Sequence, residues 1–287
     1  MALRSHPTLQ QRRLGVELRR MREQAGFGGS QLARSIGATP AQITQMEAGR
    51  TGISVDRLRA VAAACMCVDR GLIDALSEII TRREKPGWWE EYRGSLPADF
   101  LDIAELEDRA VKLSTFTITF IPGLLQTRSY ASAVFSQAFP SPTRHEVDLR
   151  TNFRLQRQAT VRTGTKTYAA FIHEAALRMQ FSGSAVLAEQ LNSLIEDSRK
   201  PGISVRVVPF NVGTLPGPSE NLTYAVGPVP ELDTVQMDTG QGVVLFDSPP
   251  HLAAFRDILD RTASVALSED ESRAFILSVK GETEGKA

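Results

Sequence analysis

In the first 85 residues, apolar side chains recur every three or four positions, which is the spacing of one helix face. The pattern predicts five short helices, and the fourth would be capped by Ser54 or Asp56. Five helices in so short a stretch indicate a compact all-α head. The predicted helices cover residues 9–25, two segments within 27–49, a segment that follows the Ser54 or Asp56 cap, and residues 72–83.

From residue 100 onward, the pattern mixes strand-like alternation with helical periodicity. Strands are predicted at residues 115–120, 166–172, 203–209, 222–226, 234–237 and 243–246. Helices are predicted at residues 103–113, 144–162, 184–198, 251–266 and 268–279, and a turn at 121–126 leads into a further helix that ends near residue 135. The predicted fold class is α+β, with an all-α five-helix head at residues 9–84 and a mixed α/β body at residues 88–280.

Residues 27–49 carry the signals of two helices joined by a tight turn. Gly37 can adopt the left-handed conformation that ends the first helix. Thr39 can form a capping box with Gln42 at the start of the second helix, and Pro40 suits the first helical position, where no backbone N–H is needed. These signals predict a helix-turn-helix motif.

The second of these helices has an unusual outward face, because Ile43 and Met46 would point inward at helical spacing. Exposed helices commonly carry Lys and Glu, whereas this face is small and uncharged. In the DNA major groove, Gln can pair with adenine and Ala can contact the thymine methyl group. The face therefore favours a helix that reads bases, and the alternative is a short polar helix in an ordinary bundle. The predicted base-contacting residues are Pro40, Ala41, Gln42, Thr44 and Gln45.

Charge is unevenly distributed along the 287 residues, although the formal net charge is zero. Residues 1–85 hold 14 Lys and Arg against 8 Asp and Glu, whereas residues 86–287 hold 19 against 25. A basic head on an acidic body is typical of a protein whose head alone binds DNA, although statistical scatter can produce the same asymmetry. No apolar run approaches the roughly 20 residues that span a bilayer, and the N-terminus lacks a signal-peptide pattern. We therefore expect a cytoplasmic, nucleoid-associated protein with no membrane partner.

Catalytic and metal-binding patterns are not found in the sequence. It has no Gly-rich phosphate loop and no Gly-x-Ser-x-Gly elbow. The four histidines are scattered without zinc-like spacing, and Cys65 and Cys67 are too few for a disulfide framework. His173 and Glu174 are adjacent, and adjacent helical side chains point apart, which disfavours an acid–base pair. We expect no enzyme activity, no cofactor and no metal site.

Residues 14–68 resemble the Cro/phage-repressor-like helix-turn-helix family, of the xenobiotic-response-element type. The similarity is carried by residues 18–26, 31–33, 36–37 and 43–50. It implies a homodimer that binds double-stranded DNA at a pseudo-palindromic operator. Carried over by position, it implies base contacts from Pro40, Ala41, Thr44 and Gln45. Thr39 and Arg50 would contact phosphates, and Glu47 would be structural and support the turn.

One departure from that family lies at Gly28 and Gly29, where members usually have Ser-Gln. Glycine has no side chain to hold a phosphate, so the contact predicted at Gly29 would use backbone N–H groups at the helix N-terminus. Pro40 also replaces a common polar base reader. Direct readout would then depend largely on Gln45.

Residues 120–127, followed by Tyr130 and Ala131, resemble the signature of an uncharacterised domain found after Cro-like heads in many actinobacterial regulators. Similarity at residues 154–158, 174–178, 190–191 and 205–210 extends the resemblance over about residues 88–278. That family is antitoxin-like and includes WhiJ-like regulators, whose genes commonly lie beside one for a small partner protein. The resemblance implies transcriptional regulation that is controlled through the body by this partner or by a ligand.

The turn after the strand at 115–120 is the predicted contact for the partner or ligand. Gly123 permits an unusual backbone conformation there, and apolar bulk adjoins the turn. The predicted contact residues are Leu124, Leu125, Gln126 and Tyr130. The alternative is that both leucines fill the core behind the strand.

Other functions stay open beside a partner-controlled DNA-binding regulator. One is a small-molecule-responsive repressor, and another is a metabolite-binding protein or enzyme with an incidental helical head. The basic head and the motif at residues 39–50 favour the DNA-binding regulator.

Overall fold

The computed structural model describes residues 7–82, 87–213, 221–239 and 242–285. The chain divides into two compact units. The first unit comprises Met1–Leu106 with Pro228–Leu232, and the second comprises Glu107–Gly227 with Asp233–Ala287. The domain limits predicted at 84 and 88 stay predictions, since residues 83–86, which include the predicted end of the head, lie outside the described part. None of the helices in the described ranges has the length and apolar character needed to cross a bilayer.

The first unit begins with the five predicted helices. They are α1 (Leu9–Gln24), α2 (Gly29–Ser35), α3 (Pro40–Glu47), α4 (Val55–Ala64) and α5 (Arg70–Arg82). Of the two candidate caps for α4, Ser54 is the one used: its side chain accepts a hydrogen bond from the backbone N–H of Arg57 at 3.1 Å. The periodic apolar residues meet in one core, which includes Leu18, Leu32, Ile43, Leu58 and Leu76. Their burial holds α2 and α3 against α1 and α4.

A 3-10 helix (Trp88–Tyr92) and α6 (Ala98–Arg109) follow. The prediction of a helix at 103–113 was wrong at both ends. The helix starts just after Pro97, a residue well suited to a helix start. It ends before Lys112, where the sequence changes to strand alternation, with Leu113 and Thr115 buried on the same face.

The second unit is built on a six-stranded mixed sheet in the order β3-β2-β1-β4-β5-β6. The strands are β1 (Lys112–Thr117), β2 (Thr167–His173), β3 (Ile203–Val208), β4 (Leu222–Val226), β5 (Thr234–Thr239) and β6 (Gly242–Phe246). β1, β2 and β3 are parallel, and β4, β5 and β6 are antiparallel to their neighbours. All six predicted strands are present, and the α+β fold class is confirmed.

The first strand lies earlier in the chain than the predicted 115–120. Pairing stops after Thr117, because the backbone N–H of Ile118 donates to the side-chain Oδ1 of Asn221 at 3.1 Å instead of to a strand carbonyl. The alternation at 118–120 therefore continues past the end of the sheet.

Seven helices of the second unit lie in its described part. They are α7 (Arg128–Ser136), α8 (Arg144–Arg157), α9 (Ala159–Arg162), α10 (Glu174–Arg178), α11 (Ser184–Asp197), α12 (Pro249–Val265) and α13 (Glu269–Glu284). The single helix predicted at 144–162 is interrupted at Gln158, whose side-chain N–H groups donate to the carbonyls of Gly123 and Gln126. This contact with a distant turn is not visible in the local pattern.

The two faces of the sheet differ in character. One face is apolar, with Phe116, Phe171, Tyr224 and Val235 packed in a cluster that includes Leu252 and Leu259 of α12. The opposite face carries buried polar residues in its centre, among them Thr115, Thr117 and Gln236. The strands in the middle of the sheet are thus apolar on one side and partly polar on the other.

Candidate nucleic-acid interface

The turn between α2 and α3 forms as the sequence predicts. Gly37 has a φ of 63°, the left-handed conformation expected at the end of α2. At the start of α3, the backbone N–H of Gln42 donates to Thr39 Oγ1 at 3.2 Å, and the backbone N–H of Thr39 donates to Gln42 Oε1 at 2.9 Å. Pro40 occupies the first turn. This capping box fixes where α3 begins and which of its side chains face outward.

The outward face of α3 is formed by short, uncharged side chains. Ile43 and Met46 are buried in the core of the first unit. Four of the predicted base-contacting residues are exposed: Pro40, Ala41, Gln42 and Thr44. The hydroxyl of Thr44 donates to the carbonyl of Pro40 at 3.1 Å, within the helix. The exposed face is therefore free of charged groups that would have to be desolvated in a DNA groove.

Gln45, the residue predicted to carry most of the readout, is only partly exposed. Its Oε1 atom is buried and accepts no hydrogen bond from the described residues. A paired contact with adenine needs both the oxygen and the nitrogen of the carboxamide. Gln45 would therefore have to rotate outward to read a base, and no hydrogen bond to its Oε1 opposes that rotation.

An ion pair fixes the C-terminal end of α3 to α1. Arg22 donates from Nε to Glu47 Oε1 at 2.6 Å and from NH2 to Glu47 Oε2 at 2.9 Å, and its NH1 donates to the Phe27 carbonyl at 2.9 Å. Both side chains of the pair are mostly buried. The hydrogen bonds from Arg22 to Glu47 raise the pKa of Arg22 above its usual value. Glu47 thus has the supporting position expected from the sequence, whereas Arg22 was not singled out as its partner.

Two glycines allow α1 to approach the end of α3 very closely. A Cβ atom on Gly15 would lie 2.3 Å from the carbonyl oxygen of Glu47. Gly49 has a φ of 68°, and a Cβ atom there would lie 2.6 Å from the carbonyl oxygen of Gln11. The position of α3 therefore depends on backbone contacts that only glycine permits.

The predicted phosphate contacts lie at the ends of the two motif helices. Thr39 and Arg50 are exposed, one before α3 and the other after it. Within the described residues, no ion pair or hydrogen bond engages the guanidinium of Arg50. Gly29 is the first residue of α2, and the preceding Gly28 provides no side-chain cap. The first N–H groups of α2 therefore have no capping side chain, as a backbone phosphate contact would require.

Arg57 is a further basic residue beside the motif that sequence reasoning missed. Its NH1 donates to the carbonyl of Ile36 at 2.7 Å and so ties α4 to the turn between α2 and α3. The only sequence signal was its position in the first turn of the helix that follows the motif.

The four residues predicted to contact a partner or ligand are buried in the second unit. Leu124, Leu125, Gln126 and Tyr130 expose at most 3% of their surface. Burial raises the pKa of Tyr130 to about 12, and its hydroxyl accepts a hydrogen bond from the Ile121 N–H at 3.3 Å. In this arrangement the four side chains offer no surface to a partner, and their burial favours the alternative that the leucines fill the core.

Three polar side chains hold this turn in place: one from α8, one from the residue that caps its C-terminal end, and one from α11. Gln126 donates to the Ile121 carbonyl at 2.7 Å and accepts from Arg154 NH1 at 2.6 Å. Gln190 donates to the Leu125 carbonyl at 2.8 Å and accepts from the backbone N–H of residue 127 at 2.7 Å. Gln158 completes the set through its contacts with the same turn. Arg154, Gln158 and Gln190 had been noted only as parts of a resemblance.

His173 and Glu174 each have a separate structural partner. The Nδ1 atom of His173 accepts the backbone N–H of Ala175 at 3.2 Å, which caps α10, and burial lowers the pKa of the ring. Glu174 accepts from Arg178 Nε at 2.6 Å and from the Phe210 N–H at 2.9 Å. Within the described ranges, no three His, Cys, Asp or Glu side chains are grouped to hold a metal ion.

Two families of known proteins match separate parts of the chain. A family described as a helix-turn-helix domain matches residues 13–76. A family described as a domain of unknown function (DUF5753) matches residues 100–278. No curated protein and no solved structure matches the chain. The first match assigns the N-terminal part to DNA-binding regulators, with DNA as its partner.

Proposed function

Because the chain belongs to the DUF5753 family and carries a helix-turn-helix domain before it, we propose that it is a sequence-specific transcriptional regulator of the Cro/phage-repressor-like type. The observation that carries the proposal is α3 itself. Its exposed face is uncharged, its start is fixed by the capping box at Thr39, and its end is held by the Arg22–Glu47 ion pair. A helix presented in this rigid way suits the major groove.

In this proposal, side chains of α3 contact the bases, and residues on either side of α3 contact the phosphates and so position the helix on the DNA. Arg50 and Thr39 contact the phosphates on either side of the groove, together with backbone N–H groups at Gly29. Gln45 turns outward when it meets a base. The bases are contacted by Pro40, Ala41, Gln42, Thr44 and Gln45.

We further propose that the protein binds a pseudo-palindromic operator as a homodimer. One α3 offers only a few base contacts, so a single head would discriminate weakly. Two heads on half-sites one helical turn apart, roughly 34–36 Å, would double the contacts. The dimer interface is the part of this proposal to be located by experiment.

The role proposed for the DUF5753 domain is regulatory rather than catalytic. Support comes from the separate structural partners of His173 and Glu174 and from the acidic composition of residues 86–287. By resemblance to WhiJ-like regulators, the controlling molecule is a small partner protein in an antitoxin-like pair. Since the side chains of the turn at 123–126 are buried, a partner would bind exposed residues around the turn.

The experiment that tests DNA recognition compares specific and random DNA. Fluorescence anisotropy with the gene's own upstream DNA should show tight, salt-dependent binding. Gln45→Ala should cost about 1–3 kcal/mol on the best site and little on random DNA. Arg50→Ala should weaken both and reduce the salt slope by about 1. Arg144→Ala is a matched control, because this arginine on α8 has a side chain that is 96% exposed.

Two outcomes would count against the proposal. Equal loss from Gln45→Ala on specific and random DNA would refute the base-reading role of Gln45. Equal affinity of the wild-type protein for its upstream DNA and for random DNA would refute sequence-specific regulation at that site and favour a metabolite-binding protein with an incidental helical head.

A further inference from the structure

The polar face of the sheet in the second unit has a row of side chains that cross three strands. Thr115 of β1 is paired with Thr223 of β4, which is paired with Gln236 of β5. The hydroxyls of Thr115 and Thr223 are 3.2 Å apart. Thr117 lies two residues further along β1 and therefore on the same face. The sheet thus presents two hydroxyls and an amide next to one another on this face, with Thr117 beside them.

Helix α8 and its C-cap residue Gln158, which keeps a helical backbone conformation, carry a matching set of polar side chains on one side. Thr151, Arg154 and Gln158 are spaced three and four residues apart, which places them on a common face. Asp238 of β5, two residues from Gln236, is close enough to affect the titration of Arg154. Helix α8 and the polar side of β5 are therefore near each other within the second unit.

Five polar atoms in these two sets are buried without a hydrogen-bond partner. Thr117, Thr151, Gln158 and Gln236 are each at least nine-tenths buried, and Arg154 is partly exposed. The unpartnered atoms are Thr117 Oγ1, Thr151 Oγ1, Arg154 Nε, Gln158 Oε1 and Gln236 Oε1. Folded proteins leave few buried polar atoms unpaired, and each such atom needs an explanation.

The five unpaired atoms are not explained by generally poor hydrogen bonding in this region. Gln126 and Gln190 are equally buried nearby, and each both donates and accepts a hydrogen bond at 2.6–2.8 Å. The unpaired atoms instead belong to one side of α8 with its C-cap residue and to the polar face of the sheet. A bound polar molecule would supply the missing partners.

The chemistry of the unpaired atoms defines the class of molecule. Arg154 Nε–H is a donor, the threonine hydroxyls can donate, and the amide oxygens of Gln158 and Gln236 are acceptors. Arg157 is neutralised by Glu107, whose carboxylate it contacts at 2.5 and 2.8 Å. Arg154 forms no ion pair with a described carboxylate, and its NH1 donates to the neutral amide of Gln126. The guanidinium carbon of Arg154 lies 4.0 Å from the centre of the Phe135 ring. The site therefore combines one cation that has no direct carboxylate contact with neutral donors and acceptors.

We propose that the second unit binds a small organic acid that also carries N–H or O–H donors, of the amino-acid or hydroxy-acid class. Its carboxylate would lie at Arg154, with the hydroxyls of Thr117 and Thr151 beside it. Its donor groups would reach the oxygens of Gln158 and Gln236. The proposal goes beyond regulation by a partner protein and does not depend on DNA binding.

The electrostatics of Arg154 are consistent with an anionic ligand. Burial lowers the pKa of Arg154 to about 9, Arg157 contributes in the same direction, and Asp238 partly opposes it. A carboxylate beside the guanidinium would favour its charged form. Arg154 and Gly123 are both partly exposed, so the guanidinium lies next to a route to solvent.

The test measures binding to the full-length protein by thermal shift and isothermal titration calorimetry. The probes are the twenty standard amino acids, lactate, malate and citrate at millimolar concentration. At least one probe should raise the melting temperature, since a ligand that binds only the folded state stabilises it. Thr151→Val should weaken binding of that probe by about tenfold, the effect of losing one hydrogen bond.

The control is Thr119→Val, which makes the same chemical change at an exposed residue just beyond β1. This variant should bind the probe like the wild-type protein. Without ligand, Thr151→Val should melt at the wild-type temperature or above it, because the substitution removes an unpaired buried hydroxyl. If it melts lower, Gln236→Met provides the second variant, with the same expected loss of binding.

Three results would overturn the proposal. One is that no probe shifts the melt or gives heat of binding. Another is that the Thr151 and Gln236 variants bind the probe as well as Thr119→Val does. The third is a crystal structure grown with the probe in which ordered water alone satisfies the five atoms. Operator binding enters none of these measurements, so a failure here leaves the DNA-binding proposal intact.

Discussion

Replacement of Gly15 by alanine tests whether the close approach of α1 and α3 fixes the recognition helix. Gly15 lies inside α1, and an added Cβ would lie 2.3 Å from the carbonyl oxygen of Glu47. Carbon–oxygen contacts are normally no shorter than about 3.3 Å, so one of the helices would have to move by roughly 1 Å. The obstacle is backbone, which cannot rotate aside as a long side chain can.

Two opposing effects set the size of the change. Alanine has a higher helix propensity than glycine, by about 1 kcal/mol inside a helix. Overpacking a tight contact costs about 1–3 kcal/mol, and the upper part of that range applies here because backbone must move on both sides. The net loss of stability should therefore be about 1–2 kcal/mol. Operator affinity should fall as well, since the end of α3 moves.

A matched control is Gly281→Ala in α13. This glycine is also helical, and an added Cβ would meet no atom within 4 Å. The same substitution should therefore stabilise the protein by about 0.5–1 kcal/mol. Comparison of the two variants separates the general effect of alanine in a helix from the effect of the close contact at Gly15.

Hydrogen exchange, resolved by peptide mass spectrometry, is the appropriate measurement, because two compact units need not unfold in one transition. The amides of α1 and α3 should exchange faster in Gly15→Ala, and anisotropy should show weaker binding to the upstream DNA. Wild-type protection of α3 together with wild-type affinity in Gly15→Ala would refute the argument that this backbone contact positions the helix.

Three further predictions follow from the contacts of single residues. Glu47→Gln should cost about 1–3 kcal/mol in a denaturation experiment, because it weakens a mostly buried ion pair, whereas Glu23→Gln at an exposed, solvent-screened pair should cost clearly less; equal effects would contradict the special role of Glu47. Leu124→Asp and Leu125→Asp should each collapse the thermal melt, and a variant that melts normally but loses a partner in a pull-down would restore the contact-surface prediction. Since burial lowers the pKa of His173, its stabilising contribution should be complete above the ordinary value of about 6.5 and be lost as pH falls below that value through the lower pKa of the folded state, because protonation removes the Nδ1 acceptor. His173→Asn, which keeps a capping acceptor, should flatten this part of a stability-versus-pH curve, and an unchanged curve would contradict it.

Local signals were sufficient to predict the helix-turn-helix. The capping box at Thr39 and Gln42, the left-handed Gly37 and the inward pair Ile43 and Met46 all involve residues within about one turn of each other. Such short-range interactions depend on the types of neighbouring residues, so they can be predicted from the sequence without knowledge of the fold. The same holds for the strands, whose alternation is a property of each strand alone.

Predictions failed where a distant residue decides a local outcome. The first strand ends at Thr117, where Asn221 accepts the next backbone N–H, and α8 ends before Gln158, whose side chain donates to carbonyls of the turn at 123–126. Gln45 is a different case: it lies on the predicted outward side of α3 and is partly exposed, with its Oε1 atom buried, and its base contact stays a prediction. In the first two cases the local pattern was compatible with more than one end point for the element.

The unpaired polar atoms of the second unit could not be predicted from the sequence either, because their arrangement depends on which strands are neighbours in the sheet. Alternation places Thr115 and Thr117 on one face of β1, but it does not tell which strand lies beside β1 or which helix covers that face. The order β3-β2-β1-β4-β5-β6 brings Gln236 into line with Thr115, although three strands, β2, β3 and β4, lie between β1 and β5 in chain order. Isolated threonines and glutamines in a sequence are most often exposed and unremarkable. They become a candidate binding site only because the strand order places them side by side on one face of the sheet, and a site of this kind can be recognised only from the folded chain.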